Sequence, residues 1–346
     1  MTSKLKILVA AGTISAAMMS ASSAFAAGSL VGTSVNNTAT VDYQVGGVAQ
    51  TQKTGSDAFL VDRKVAFTLT EATPVGTTSV VPGQQDAVTK FTLNNTTNDT
   101  LDFNLAAAQL SGTVAKHGGT DVFDVTGFTF FVDGNGNGTY EVASDTATLV
   151  NNLAPDASIS IFIVGDIPLA QTNGQVSGVT MTASARNSDG TAITAATDAT
   201  VNTAAVETIF ADTGRDGIES DGDDYTLAAP ILTVSKLSRV VSDGVSTSNF
   251  KAIPGAVVEY CIAVTNAAGA ATATNVAVAD NLSLEPDFTY QASFTPKLDG
   301  TVVAGNTCTP GGTNATYNGG TDTVSGTLTN IAAGETRTLV FRVTID

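Results

Sequence analysis

One histidine, two cysteines and no tryptophan occur among 346 residues, and these scarcities remove whole classes of chemistry. A serine–histidine–acid triad needs a histidine beside its nucleophile. The lone His117 lies in VAKHGGT, a loop-like stretch that reads as surface. Zinc sites built from histidine and cysteine need more such ligands than the chain can spare. No glycine-rich phosphate loop or dinucleotide motif opens a helix. Basic residues are also few: 15 Lys and Arg stand against 32 Asp and Glu, a formal charge of −17. That balance argues against nucleic acid, whose binding uses Lys and Arg to displace counterions, and against anionic membrane surfaces. An acidic surface suits a soluble exported protein. Paired carboxylates for glycoside hydrolysis occur in any acidic chain, but nothing here singles out a pair. The chain reads as non-enzymatic.

Long apolar runs are missing too, apart from a diluted one at the start. Lys4 and Lys6 precede a weakly apolar stretch, and Ala24-Phe25-Ala26 supplies a small-residue cleavage pattern. Residues 1–26 are therefore expected to be a signal peptide, with no membrane insertion of the mature chain. In the oxidising compartment that follows, Cys261 and Cys308 are expected to pair.

What is present is alternation. TATVDYQV, KVAFTLTEA, AVTKFTLNN, SISIFIVGDI, VVEYCIAVTN and TLVFRVTID are short period-two runs rich in Val, Thr, Ile and Phe. Gly, Asn, Asp and Pro separate them, the signature of an all-β sandwich. The pattern also occurs twice. VPGQQDAVTKFTLNN matches IPGAVVEYCIAVTNA, with eleven positions from Gly83 to Asn94 and from Gly255 to Asn266. NNLAPDASISIFIV later matches TNIAAGETRTLVFRV, with nine from Asn152 to Ile161 and from Asn330 to Leu339. Two segments in the same order imply two copies of one unit. In the second copy, alternate residues such as Val257, Tyr260 and Ile262 are expected to face the core.

The stretch IPGAVVEYCIAVTNAAGAATATNVAVADNL, followed by NIAAGETRTLVFRVTI, resembles the bacterial surface-protein repeat known as domain of unknown function eleven. The resemblance covers residues 230–346 well and the first copy more loosely. It implies immunoglobulin-like β-sandwiches in exported or cell-surface proteins, without an established activity. It also matches a Tyr-Cys pair to Tyr260-Cys261 and a later cysteine to Cys308. In the first copy Lys90-Phe91 occupies the Tyr-Cys position, so no disulfide is expected there.

The expected architecture is two tandem immunoglobulin-like sandwiches. Residues 27–210 form the first, with extra N-terminal strands, and 230–346 the second. Between them 211–229, dense in acid and glycine, reads as a linker. One motif suggests a ligand. In VDGNGNGTYE, Asp133, Asn135, Asn137 and Glu141 are candidate calcium ligands, although position twelve lacks the bidentate acid of an EF-hand. A glycine-rich hairpin needing no ion explains the same residues.

The functional expectation is an exported structural or adhesive protein with an extracellular or cell-surface partner. One alternative is a fibre subunit that self-associates by adding an edge strand to a neighbour. Another is a carbohydrate-binding module using Tyr43, Tyr140, Tyr225 or Tyr290.

Overall fold

The computed structural model describes residues 28–346, except 73–74, 196–203, 285–286 and 304–306. The expected signal peptide lies outside the described residues. Strands of five or more residues are numbered in chain order; among the described residues a single 3₁₀ turn, Leu282–Leu284, interrupts the β structure.

An antiparallel ribbon comes first, β1 (Ser34–Val41) paired with β2 (Lys53–Leu60). Every residue of the two strands is exposed except Leu60, which is half-buried. Its root is tied down: Val31 N–H donates to the Asn98 carbonyl, and the Asn98 side chain donates to the Ser29 and Asp62 carbonyls.

The first sandwich uses β3 (Phe67–Glu71), β4 (Ala87–Asn95), β5 (Leu101–Gln109), β6 (Thr126–Val132), β7 (Leu149–Leu153), β8 (Ser158–Asp166), β9 (Val176–Asn187) and β10 (Ile218–Leu227). One sheet runs β6-β8-β4-β3; the other runs β7-β5-β9-β10 and ends on Thr78–Val80, parallel to β10. Phe67, Phe91, Leu93, Ile161 and Ile163 from the first meet Phe103, Val179, Met181 and Tyr225 from the second in one apolar core. The alternation of β4 decides which face goes in, since Ala87, Thr89, Phe91, Leu93 and Asn95 are all buried.

The expected linker is corrected here. Ile218–Leu227 of the acidic segment is strand β10, paired along its length with β9. Tyr225 and Leu227 are buried in the core, and the Tyr225 hydroxyl donates to the Ala87 and Ile163 carbonyls. Acid density obscured a strand whose inward residues do the packing. The first sandwich thus runs to Leu227 rather than ending at 210.

A second core lies between the sheets of β11 (Leu232–Ser242), β12 (Val257–Asn266), β13 (Val276–Asn281), β14 (Lys297–Val303), β15 (Thr323–Leu328) and β16 (Thr336–Ile345). The larger sheet runs β11-β12-β16-β14 to Thr307–Thr309; the smaller is β13-β15 with Thr316–Asn318. Val258, Tyr260, Ile262 and Val264 share the inward face of β12. Val257, expected to face the core, lies on the other face with Cys261, because a strand alternates strictly.

The duplication is visible in the registers, offset by one residue from the sequence match. Ile161 pairs with Phe91 in the first copy, and Leu339 pairs with Ile262 in the second. Gly83 N–H reaches the Ile167 carbonyl as Gly255 N–H reaches that of Ile345. The buried counterpart of Asn266 is therefore Asn95, not Asn94. Asp86, in the left-handed region at φ 49°, accommodates the extra residue between the Pro-Gly turn and β4.

Candidate functional site

Two positions and one cluster concentrate the chemistry of the chain. The first pair is Asn95 and Asn266, both fully buried. Asn95 Nδ2 donates to the Leu153 carbonyl at 2.8 Å and the Asp99 carbonyl at 3.0 Å. Asn266 Nδ2 donates to the Ala271 carbonyl at 2.7 Å and the Ile331 carbonyl at 3.0 Å. Backbone bonds repeat as well, Asp156 N–H to the Asn95 carbonyl and Gly334 N–H to that of Asn266. Each asparagine knots the same turns of its sandwich, because a buried amide and the carbonyls around it must all be satisfied.

The outer faces of β4 and β12 carry a second equivalence. By register, Lys90 corresponds to Cys261. Cys261 is bonded to Cys308, which fastens Thr307–Thr309 over the sheet beside Val340. Lys90 Nζ donates to the Gly138 carbonyl at 2.8 Å and fastens the 133–145 loop over its own sheet. Tyr140 completes that attachment, stacking on Phe131 with ring centroids 5.6 Å apart.

The four candidate calcium ligands all lie in this loop and are hydrogen-bonded within it. Asp133 is buried, and its two carboxylate oxygens accept the Gly136 and Gly138 N–H groups, each at 2.7 Å. Asn135 and Asn137 turn their NH₂ groups to Glu141 Oε2, while their amide oxygens accept the Asn137 and Thr139 N–H groups. Asp145 accepts from Gly134 and Glu141 N–H. A calcium ion requires six to eight converging oxygens; with no ion, the same oxygens close side-chain turns.

The cluster is one the sequence did not reveal. His117 is not a free surface residue: its backbone N–H donates to Asp224 at 2.9 Å, and Nε2 lies 2.8 Å from Glu71 Oε2 and 3.8 Å from Asp223. Lys116 Nζ bridges Glu71 at 2.9 Å and Asp221 at 2.7 Å. The 113–120 loop, closed by Ala115 N–H to the Gly119 carbonyl, is thereby clamped to β3 and β10. Burial pushes the Asp223 carboxyl up to about 7, and the Glu71 and Asp224 carboxylates add to the rise. Burial would raise Glu71 as well, but the Gly76 N–H and the Lys116 ammonium hold it below its ordinary value. Asp221 is likewise lowered, its burial outweighed by bonds from Lys116 and the Glu71 N–H.

Glu71, His117 and Asp223 bring ligand atoms within 4.8 Å of one another. An ammonium already sits on Glu71, so a cation there would face Lys116 at close range. Every side-chain partner of His117 is a carboxylate, leaving no hydroxyl or thiol poised for attack. The arrangement holds a proton near neutrality and joins a loop to two strands. A signal for it existed in the alternation of β10, which sets Asp223 on the same face as the buried Tyr225.

The aromatic candidates disperse. Tyr225 is core, Tyr290 stacks on Tyr317 at 3.7 Å, Tyr140 serves the loop, and Tyr43 stands exposed near the ribbon tip. Among the described residues, no helix is long and apolar enough to cross a membrane.

No protein-family model and no curated protein matches the chain. Solved structures give weak likenesses. The C-terminal domain of the Streptococcus agalactiae AgI/II polypeptide BspA is 12% identical at TM-score 0.33, over 82% of this chain and 91% of that one. The C-terminal domain of the Streptococcus pyogenes antigen I/II-family protein AspA is 11% identical at TM-score 0.36, over 81% and 91%. Collagen adhesin from S. aureus is 11% identical at TM-score 0.21, over 82% and 83%. Values this low support no conclusion about ligand or activity; the all-β architecture rests on the coordinates of this chain itself.

Proposed function

We propose that the chain is an exported, non-enzymatic structural or adhesive protein of the cell surface or extracellular space, built from tandem immunoglobulin-like sandwiches. The observation that carries the reading is how its polar residues are used. Asn95, Asn266, Asp133, Lys90 and the Glu71–His117 cluster are each bound to loops or strands of their own sandwich. The Cys261–Cys308 disulfide adds a covalent tie that suits an oxidising exterior. The resemblance of residues 230–346 to a surface-protein repeat supports the same place of action. Protease added to intact native cells should digest the protein, and thiol labelling of the native chain should find both cysteines blocked. A protease-resistant intracellular pool with free thiols would overturn the reading.

A fibre subunit is the second reading, favoured by the exposed N-terminal ribbon. A two-stranded ribbon is marginal alone in water and gains stability by joining a sheet. This one presents Val35, Val41 and Phe59 to solvent, 36%, 58% and 56% exposed.

A further inference from the structure

The second sandwich is unfinished along one side. Among the described residues, β11 is terminal in the larger sheet, paired with β12 alone, and β13 is terminal in the smaller, paired with β15 alone. Between these edges lies a groove of about 430 Å³. Its floor is core: Ile262 and Val264 are 6% and 3% exposed. Their direct neighbours across the ladder are Lys236 and Val234, so these share the same inward face. Yet Val234 is 68% exposed and Leu232 is 41% exposed. Core-facing positions are open to water because no strand covers them. At the far end Lys236 Nζ reaches Asp280 Oδ2 at 2.7 Å, joining the two edges and marking where the opening stops.

The same chain carries a strand without a sheet. Along β1, the face of Val35, Asn37, Ala39 and Val41 bears no charge, and neither does the rest of the strand. Free edges of natural sheets are ordinarily protected by charge, proline or a bulge; β1 has none of the three, and its register with β2 is unbroken. From Leu232 to Ser235 the acceptor edge is uncharged as well, so neither side meets a desolvated ion. Eight residues of β1 span about 27 Å and the groove-lining part of β11 about 17 Å, so the donor covers the opening.

We propose that β1 of one copy docks along β11 of another, setting Val35, Ala39 and Val41 over the groove beside Leu232 and Val234. In the chain itself β1 is exposed along its whole length, so donor and acceptor remain unmatched until a second copy arrives. The contact joins different surfaces and is therefore head-to-tail and open-ended. Main-chain bonds to the sheet edge supply affinity, and the alternate side chains supply register. This inference rests on the fibre reading and names its acceptor.

The test uses the mature chain from residue 27, two principal variants and one control variant. Val234→Arg blocks the groove and keeps the ribbon; removal of residues 34–60 keeps the groove and loses the ribbon. By size exclusion with light scattering, the unmodified chain should form a concentration-dependent ladder of oligomers, and each variant alone a monomer. Mixed one to one, the variants should pair and stop at two. Leu232→Asp, with an unchanged melting curve, guards against misfolding of the arginine variant. Assembly that survives both groove variants removes this acceptor and leaves a fibre of another design. A chain that stays monomeric at every concentration removes the fibre reading along with it. Protection of the β1 amides in such a monomer would assign the groove to the chain's own ribbon and overturn docking between copies.

Discussion

Asp223 carries a conflict that ought to be measurable. Its carboxyl titrates near 7 in the folded chain, against about 3.9 when unfolded. Between those values the folded state holds the extra proton, so its contribution to stability is complete below about pH 4 and fades as pH rises through 7. Glu71 and Asp221, both lowered, act oppositely: their contribution is present above the ordinary carboxylate range and is lost on acidification. Asp223→Asn should therefore flatten the decline between pH 4 and 7 and raise the melting temperature at pH 8, read by thermal melts across pH. No rise at pH 8 would show that the ionised carboxylate carries no penalty. Asn95→Ala and Asn266→Ala should each cost about 2–4 kcal/mol in denaturant melts, because buried carbonyls lose their donors at about 1–3 kcal/mol each. At this scale the sequence was partly legible. Compartment and count led to the disulfide between Cys261 and Cys308. The asparagine match fell on Asn94 because one residue inserted in a turn shifts everything after it. His117 reads as surface in the sequence because its partners come from strands 46 and 106 residues away.

Among the elements, two outer-face attachments invite comparison. Replacing Cys261 and Cys308 together by Ala should lower stability by about 2–5 kcal/mol, as expected for opening a loop of this length. Lys90→Met should act locally, releasing the loop while leaving the core strands intact. Faster hydrogen exchange at the Gly136 and Gly138 amides, with little change in the global melt, is the expected result. A glycine-rich loop that closes its own turns needs no ion, so calcium at millimolar concentration should leave the melting midpoint where chelator leaves it; a rise with calcium would assign the loop to the ion. The strands themselves were readable from alternation, which survives in β4, β8, β12 and β16. β10 reads as linker in the sequence because its four acidic residues outweigh Tyr225 and Leu227 in composition, though strand formation depends on what faces inward.

For the molecule as a whole, the duplication and the all-β class were legible because each copy keeps its own hydrophobic pattern. The missing strand of the second sandwich was not, since an inward position left uncovered has the same sequence as one that is covered. Val234 looks like any core valine until its 68% exposure is seen.

Only residues 228–231 separate β10 from β11, and they are bonded from both sides. Ala229 N–H donates to the Asn173 side chain, while its carbonyl and that of Ile231 accept from Ala271 and Ala267. Such a junction has almost no slack. In a string of copies joined at β11, a pull on one subunit would pass along its β10 backbone into the strand that grips the next. The C-terminal β16 and its neighbours would stay off the line of tension, and the string would stretch little before a sheet edge had to shear.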